Sequence, residues 1–233
     1  MDSTGPGRTH RALEIAAIAT FLAGITCVAV RAALAMNWGW DLLWMALAAL
    51  TGYLAADFIS GLVHWAGDTL GDESTPLIGA NFVRPFREHH SDEKAITRHD
   101  FIETNGNNCI VAVPVVLLLV FEMPETPGWW FWSALAAGFC TWFVFCTNQF
   151  HKWAHADEAP ATVRTLQRWG LILSPRHHAI HHAAPHDKYY CITVGWMNPI
   201  LYRLRFFRAC EAVVARIRPG FVHLAERQGP PRA

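Results

Sequence analysis

The chain has 233 residues, enough for one domain of ordinary size. Its 19 basic and 19 acidic residues leave a formal net charge of zero, so bulk charge implies no nucleic-acid partner. Hydrophobic residues make up 52% of it, and the six cysteines include no C-x-x-C pair, which argues for reduced thiols and against a disulfide framework.

Residues 1–11 form a short polar tail. Residues 12–36 are apolar apart from Glu14 and Arg31. That run is long enough to cross a bilayer, which takes roughly 20 residues, and it is too long and lacks the cleavage site of a simple signal peptide. A second apolar run, residues 38–65, is interrupted by Asp41, Asp57 and His64, and a polar loop follows. The third run, residues 109–123, is short and contains Pro114. It reaches spanning length only by extending back through the polar residues 105–108, which would then have to face protein rather than lipid. The fourth run covers residues 129–150. Trp38, Trp40, Trp129, Trp130 and Trp132 sit near run ends, as an aromatic belt does. Beyond residue 159 the chain is mixed and basic, and Pro160, Pro175, Pro185, Pro199 and Pro219 divide it. Residues 201–217 alternate apolar and arginine residues at helical spacing, as a helix on a membrane surface does and as a soluble amphipathic helix packed on its domain also does. Residues 218–233 read as a C-terminal tail, frayed over 229–233. The expected fold is all-α: a polytopic membrane bundle of about four spans forming one domain over residues 12–217, with a cytoplasmic histidine-rich metal-binding cap.

Basic residues set the orientation. The loop between the third and fourth runs has no Lys or Arg, whereas the loop before the third carries Arg84, Arg87, Lys94 and Arg98. Twelve more follow Phe150, and Arg8 and Arg11 precede the first run. The positive-inside rule therefore places both termini and the long loop in the cytoplasm. With four spans, every histidine cluster then falls on that face.

Ten of the thirteen histidines lie at the ends of apolar runs or in the adjoining polar segments: His64, His89, His90, His151, His155, His177, His178, His181, His182 and His186. Imidazole is the commonest protein ligand for transition metals. His151 and His155 share a helix face, as do His178, His181 and His182. His89 and His90 are adjacent, about 100° apart on a regular helix, so both bind only if they reach different ions or the backbone is irregular. Eight ligands, His64, His89, His90, His151, His155, His178, His181 and His182, are too many for one zinc, which takes three or four. They suit two irons with room for oxygen, in an all-histidine set unlike the carboxylate-rich sites of soluble bundles. His99, His177 and His186 are further candidates, either as ligands or as hydrogen-bond partners. Asp57, Asp68, Asp100, Glu103 and Asp187 stand near the clusters as acceptors able to orient imidazoles. Arg84 and Arg87 are placed to grip a lipid phosphate or to meet anionic lipids as a positive-inside loop does. His10 and His223 lie outside the pattern.

Six segments then carry a resemblance: G-L-V-H-W (61–65), R-P-F-R-E-H-H (84–90), T-R-H-D-F-I-E-T-N-G (97–106), T-N-Q-F-H-K-W-A-H (147–155), H-H-A-I-H-H (177–182) and Y-C-I-T-V-G-W (190–196). In the same order, they resemble the Kua (CarF) family of membrane lipid desaturases. The resemblance implies an iron-requiring enzyme that uses O2 to remove two hydrogens from the 1-O-alkyl chain of an ether phospholipid, giving the vinyl ether of a plasmalogen. The family's histidine boxes fall on His151 with His155 and on the stretch 178–182, and His64, His89 and His90 match further family histidines. No C-x-x-C-H haem motif is present, so electrons would come from a separate cytochrome b5-like or ferredoxin-like donor. The implied location is a bacterial inner membrane or the endoplasmic reticulum, according to source. A fatty-acyl desaturase or lipid hydroxylase would use the same metal site. A metal transporter would need ionisable residues in mid-span, which the third and fourth runs lack, and a zinc protease would need H-E-x-x-H, which is absent.

Overall fold

The computed structural model describes residues 7–76 and 79–222. Among the described residues ten α-helices follow one another: α1 (Arg8–Ala35), α2 (Asp41–Thr69), α3 (Arg84–Ser91), α4 (Ala95–Arg98), α5 (Phe101–Glu122), α6 (Trp129–His155), α7 (Ala161–Arg168), α8 (Pro175–His182), α9 (Asn198–Arg203) and α10 (Phe206–Ile217). A π-helical turn, Gly79–Val83, leads into α3. No strand occurs among the described residues, where extended pairing is confined to one antiparallel bridge between Leu70 and Val222. Helices α1, α2, α5 and α6 are each long and apolar enough to cross a membrane. The protein is thus an all-helical, multi-pass membrane protein. His223 and most of the 218–233 tail lie outside the described residues, as does the first half of the N-terminal tail.

The chain divides into two compact units, which part within α2 and α6: Met1–Ala56 with His99–Gln149, and Asp57–Arg98 with Phe150–Ala233. In the first unit, α1 and α5 pack closely enough that a Cβ on Gly24 would lie 2.3 Å from a Val116 methyl. Small residues permit such approach between membrane helices, where packing rather than hydrophobicity drives association. Phe21, Cys109, Ala112, Val116 and Phe145 form one core cluster, and Val28, Ala32, Leu119, Phe131 and Leu135 another. Large apolar side chains such as Leu34, Val111 and Phe121 stay exposed, which suits a lipid-facing surface. Trp38, Trp40, Trp129 and Trp130 are exposed at helix ends, the position of an interfacial belt.

The third span does extend backward. Helix α5 begins at Phe101 and continues through Pro114. Three of the four polar residues 105–108 turn toward protein, while Asn107 is exposed: Thr104 and Asn105 are buried, Asn108 Nδ2 donates to the Val144 carbonyl at 3.0 Å, and Asn148 Nδ2 donates to the Thr104 carbonyl and Asn108 Oδ1 at 3.0 and 3.1 Å. Arg31 donates to the carbonyls of Val120 and Met123, satisfying the last turn of α5.

In the second unit the segment 190–198 is tied to α2. Asp57 accepts from the backbone N–H groups of Val194, Gly195 and Met197 at 2.8–3.0 Å. Ser60 Oγ accepts from Ile192 N–H at 3.0 Å, and Leu173 N–H donates to the Thr193 carbonyl at 3.0 Å. This anchoring fixes the start of α8, where Ser174 caps the helix by accepting from His177 N–H and Pro175 occupies the first turn. The single helix expected over 201–217 is instead two, α9 and α10, because Arg205 adopts φ +52°, a left-handed conformation no α-helix continues through.

Candidate metal centre

Four helices of the second unit bring histidines together: α2 supplies His64, α3 supplies His89 and His90, the end of α6 supplies His151 and His155, and α8 supplies His178, His181 and His182. They sort into two groups that share one residue. The first is His89, His151, His155, His178 and His182, and the second is His64, His89, His90 and His181; in each, one ligand atom per residue lies within 4.8 Å of the others. Helical geometry explains the sorting. His178 and His182 are one turn apart and join the first group, while His181 points to the second. His89 and His90 diverge on the regular helix α3, and His90 accordingly joins only the second group.

The fit to a metal can be read from the nitrogen atoms. In the first group Nε2 of His151, His155 and His178 form a triangle with sides of 2.9–3.0 Å, and His182 Nε2 lies 3.0 Å from that of His178. An imidazole nitrogen carries either one hydrogen or one lone pair, so three of them cannot satisfy all three edges by hydrogen bonding. Bonds of about 2.1 Å to one ion separate ligand atoms at right angles by about 3.0 Å, and the triangle has that size. In the second group Nε2 of His64, His89, His90 and His181 are buried without hydrogen-bond partners, an expensive state unless something else meets them. The donor set therefore suits two imidazole-bound transition-metal ions.

The remaining ring nitrogens are oriented. His89 Nδ1 donates to the Phe86 carbonyl, and His181 Nδ1 donates to the Lys188 carbonyl at 2.9 Å, which leaves each Nε2 with its lone pair. His182 Nδ1 lies 3.3 Å and His155 Nδ1 3.9 Å from the Glu93 carboxylate. Burial pushes the pKa values of His89 and His178 well below the usual range. Burial and then His181 push that of His182 down to about 2. These imidazoles are neutral at pH 7, the form that binds metal.

Asp68 is drawn into the second group. Its side chain is only 7% exposed, and its oxygens lie 3.4 Å from His64 Nε2, 3.2 Å from His90 Nε2 and 3.4 Å from His181 Nε2. Neither oxygen has a hydrogen-bond partner. The His186 ring lies 4.4 Å from that of His90, tilted by 55°.

The other sequence candidates are placed elsewhere. His177 Nε2 accepts from Asn198 Nδ2 at 3.0 Å. Asp57 holds the 194–197 backbone as described, and Asp187 pairs with Arg208. Asp100 and Glu103 belong to the first unit: Asp100 caps α5 and pairs with Arg11, and Arg11 and the Glu103 N–H lower its pKa to about 2. His99 Nε2 lies 3.6 Å from Glu103 Oε1. Arg87 donates to the Gly71 carbonyl at 2.8 Å, and Arg84 is exposed. Sequence reasoning missed Glu93. The signal available was its place three residues after His90, in the same polar loop.

Four apolar helices together with a buried, histidine-lined centre define a class: multi-pass membrane proteins with a histidine site able to hold metal. The comparisons narrow it. Residues 53–219 match the family model described as the lipid desaturase domain. The chain is 51% identical to a plasmanylethanolamine desaturase of Myxococcus xanthus over 88% of its own length and 72% of that protein. It is 47% identical to plasmanylethanolamine desaturase 1 of Mus musculus over 72% of its length and 64% of the mouse protein. It is 38% identical to the chloroplastic fatty acid desaturase 4 of Arabidopsis thaliana over 82% of its length and 59% of that protein. No solved structure matches. The chain belongs to the lipid desaturase domain family, and it is a membrane oxidoreductase acting on lipid.

Proposed function

We propose that the protein introduces the 1-O-alk-1'-enyl double bond of a plasmalogen, converting a plasmanyl phospholipid to its vinyl ether with O2 and two iron ions. The observation that carries this reading is the pair of histidine groups meeting at His89, in a chain similar to two proteins named as plasmanylethanolamine desaturases. The overall reaction takes R–O–CH2–CH2–R', O2, two electrons and two protons to R–O–CH=CH–R' and two waters, the electrons coming from a separate cytochrome b5-like or ferredoxin-like protein.

His151, His155, His178 and His182 would hold one ion and His64, His90 and His181 the other, with the single Nε2 lone pair of His89 available to one of the two and Asp68 as the anionic partner of the second. The bound irons supply the activation of O2 and the oxidising power that removes hydrogen. The chain's own contribution is ligation, orientation and dryness. The Lys188 and Phe86 carbonyls hold the Nδ1 protons of His181 and His89. Glu93 steadies His155 and His182 from the open side, and burial of His64 and His181 keeps water from the second group. Residues 12–217 would form one desaturase domain, its histidine centre facing the cytoplasm of a bacterial cell or of a eukaryotic cell's endoplasmic reticulum.

The test is expression in cells that lack plasmalogens, fed an alkylglycerol, with mass spectrometry for acid-labile vinyl ether lipids. Vinyl ethers that disappear in His155→Ala are expected, and their absence from cells with expressed wild type and a working donor refutes the reading. A second reading, desaturation of a fatty-acyl chain, is favoured by the similarity to the Arabidopsis protein. New acyl double bonds without vinyl ethers would establish it.

A further inference from the structure

The second unit contains a cleft of about 560 Å³ that the histidine chemistry does not use. Its volume falls within the range of small-molecule sites. The lining joins cations to aromatic rings: Lys188, Arg203 and Arg205 with Tyr189, Tyr202 and Phe207. None of the three cations has an ion pair or side-chain hydrogen bond among the described residues. A fourth, Arg208, pairs with Asp187, and Arg208 and Asp187 are also in the lining, so four cations face one carboxylate. Tyr189 and Arg205 both adopt left-handed backbone conformations, φ +63° and +52°, which side-chain-bearing residues rarely take outside demanding sites.

The cleft adjoins the metal centre. Its Phe207 ring lies 4.9 Å from Tyr190, which is fully buried and packs 5.2 Å from His181. Lys188, on the cleft wall, is the residue whose carbonyl holds His181 Nδ1. Tyr202, Leu204 and Ile200 are exposed beside it, apolar surface of the kind that meets a membrane. Cations grip phosphate oxygens through charge-assisted hydrogen bonds, arginine bidentately, and an apolar rim suits the acyl or alkyl chains that follow.

We infer that this cleft is the subsite for the phosphodiester of a glycerophospholipid, with Arg203, Arg205 and Lys188 as its anion ligands. The inference rests on the lipid desaturase reading for its choice of lipid as occupant. It shifts head-group recognition from Arg84 and Arg87, the second of which is committed to the Gly71 carbonyl.

The experiment titrates the purified full chain by native mass spectrometry with dioleoylphosphatidylethanolamine, with dioleoylglycerol, which has the same chains and no phosphate, and with inorganic phosphate. It compares wild type with Arg203→Ala/Arg205→Ala, with Arg203→Lys/Arg205→Lys, and with Arg168→Ala/Arg216→Ala as a charge-matched control. The alanine pair should weaken the phospholipid by about tenfold or more, since each charge-assisted bond is worth about that factor. Dioleoylglycerol binding and iron content should stay at wild-type levels, the lysine pair should retain most of the affinity, and the control should behave as wild type. Phospholipid affinity unchanged in the alanine pair overturns the proposal, as does an equal loss for both lipids. Inorganic phosphate bound with no phospholipid preference makes this a free-anion site instead. Slower reduction by an acidic donor protein with unchanged lipid binding makes it a protein-docking site instead. A phosphate preference that vanishes in the alanine pair of a wild type making no vinyl ether upholds the subsite and refutes the plasmalogen reading alone.

Discussion

Asp68→Asn is the perturbation that most directly questions the metal centre. The residue is one helical turn beyond His64 on α2, its side chain is 7% exposed, and its carboxylate lies 3.2–3.4 Å from three Nε2 atoms of the second histidine group. Asparagine keeps the shape and removes the charge. Partners of this kind change metal affinity by about tenfold to a hundredfold, about 1.4–2.7 kcal/mol at 1.36 kcal/mol per decade. Asp68 pairs with His64, His90 and His181 and with no member of the first group, so the ion of that group should be unaffected. Purified wild type should hold two irons per chain, one for each group, when counted by plasma mass spectrometry after dialysis against chelators of increasing strength. The variant should surrender one of them to a chelator about ten to a hundred times weaker and keep the other. Two irons retained by Asp68→Asn with wild-type resistance would show that the carboxylate has no part in holding metal. Equal loss of both would show that the two groups do not act as separate sites.

Three further outcomes test the fold and the boundaries of the site. Gly52→Ala would set a Cβ 2.5 Å from the Ala136 carbonyl oxygen and 2.6 Å from the Cys140 nitrogen. Backbone cannot yield as a side chain can, so a loss of about 1–3 kcal/mol is expected; an unchanged melting temperature in detergent would contradict the close approach. Asp57→Ala strands two buried N–H groups, of Val194 and Gly195, at about 1–3 kcal/mol each, and removes the acceptor of the part-buried Met197 N–H, whereas Asp57→Asn keeps one acceptor oxygen. Urea denaturation should rank wild type above Asn and Asn above Ala, and equal stability of the two variants would remove Asp57 from its anchoring role. His155→Ala should lower iron content and abolish product, while His99→Ala, outside both groups, should leave iron content unchanged; iron loss in His99→Ala would add it to the ligand set.

The four spans and the gathering of histidines were legible in the sequence, because both rest on local pattern. A run of about 20 apolar residues can do little in water but bury itself in lipid, and histidines spaced by four share a helix face wherever the helix lies. The backward extension of α5 was conditional in the sequence and became definite only when Asn108 and Asn148 were seen to bond across to neighbouring helices. Which histidine joins which group depends on how α2, α3, α6 and α8 meet, and no spacing within a helix encodes that. The same holds for the carboxylates. Asp57, Asp68, Asp100, Glu103 and Asp187 look alike as acids near histidines, yet one anchors a backbone loop, one enters the second histidine group, one caps a helix, one faces His99 and one pairs with Arg208. Glu93 and the cleft of Lys188, Arg203 and Arg205 escaped sequence reading for the same reason. A side chain's electrostatic role is set by partners distant in the chain, and only tertiary packing brings those partners within the few ångströms over which hydrogen bonds and ligand bonds act.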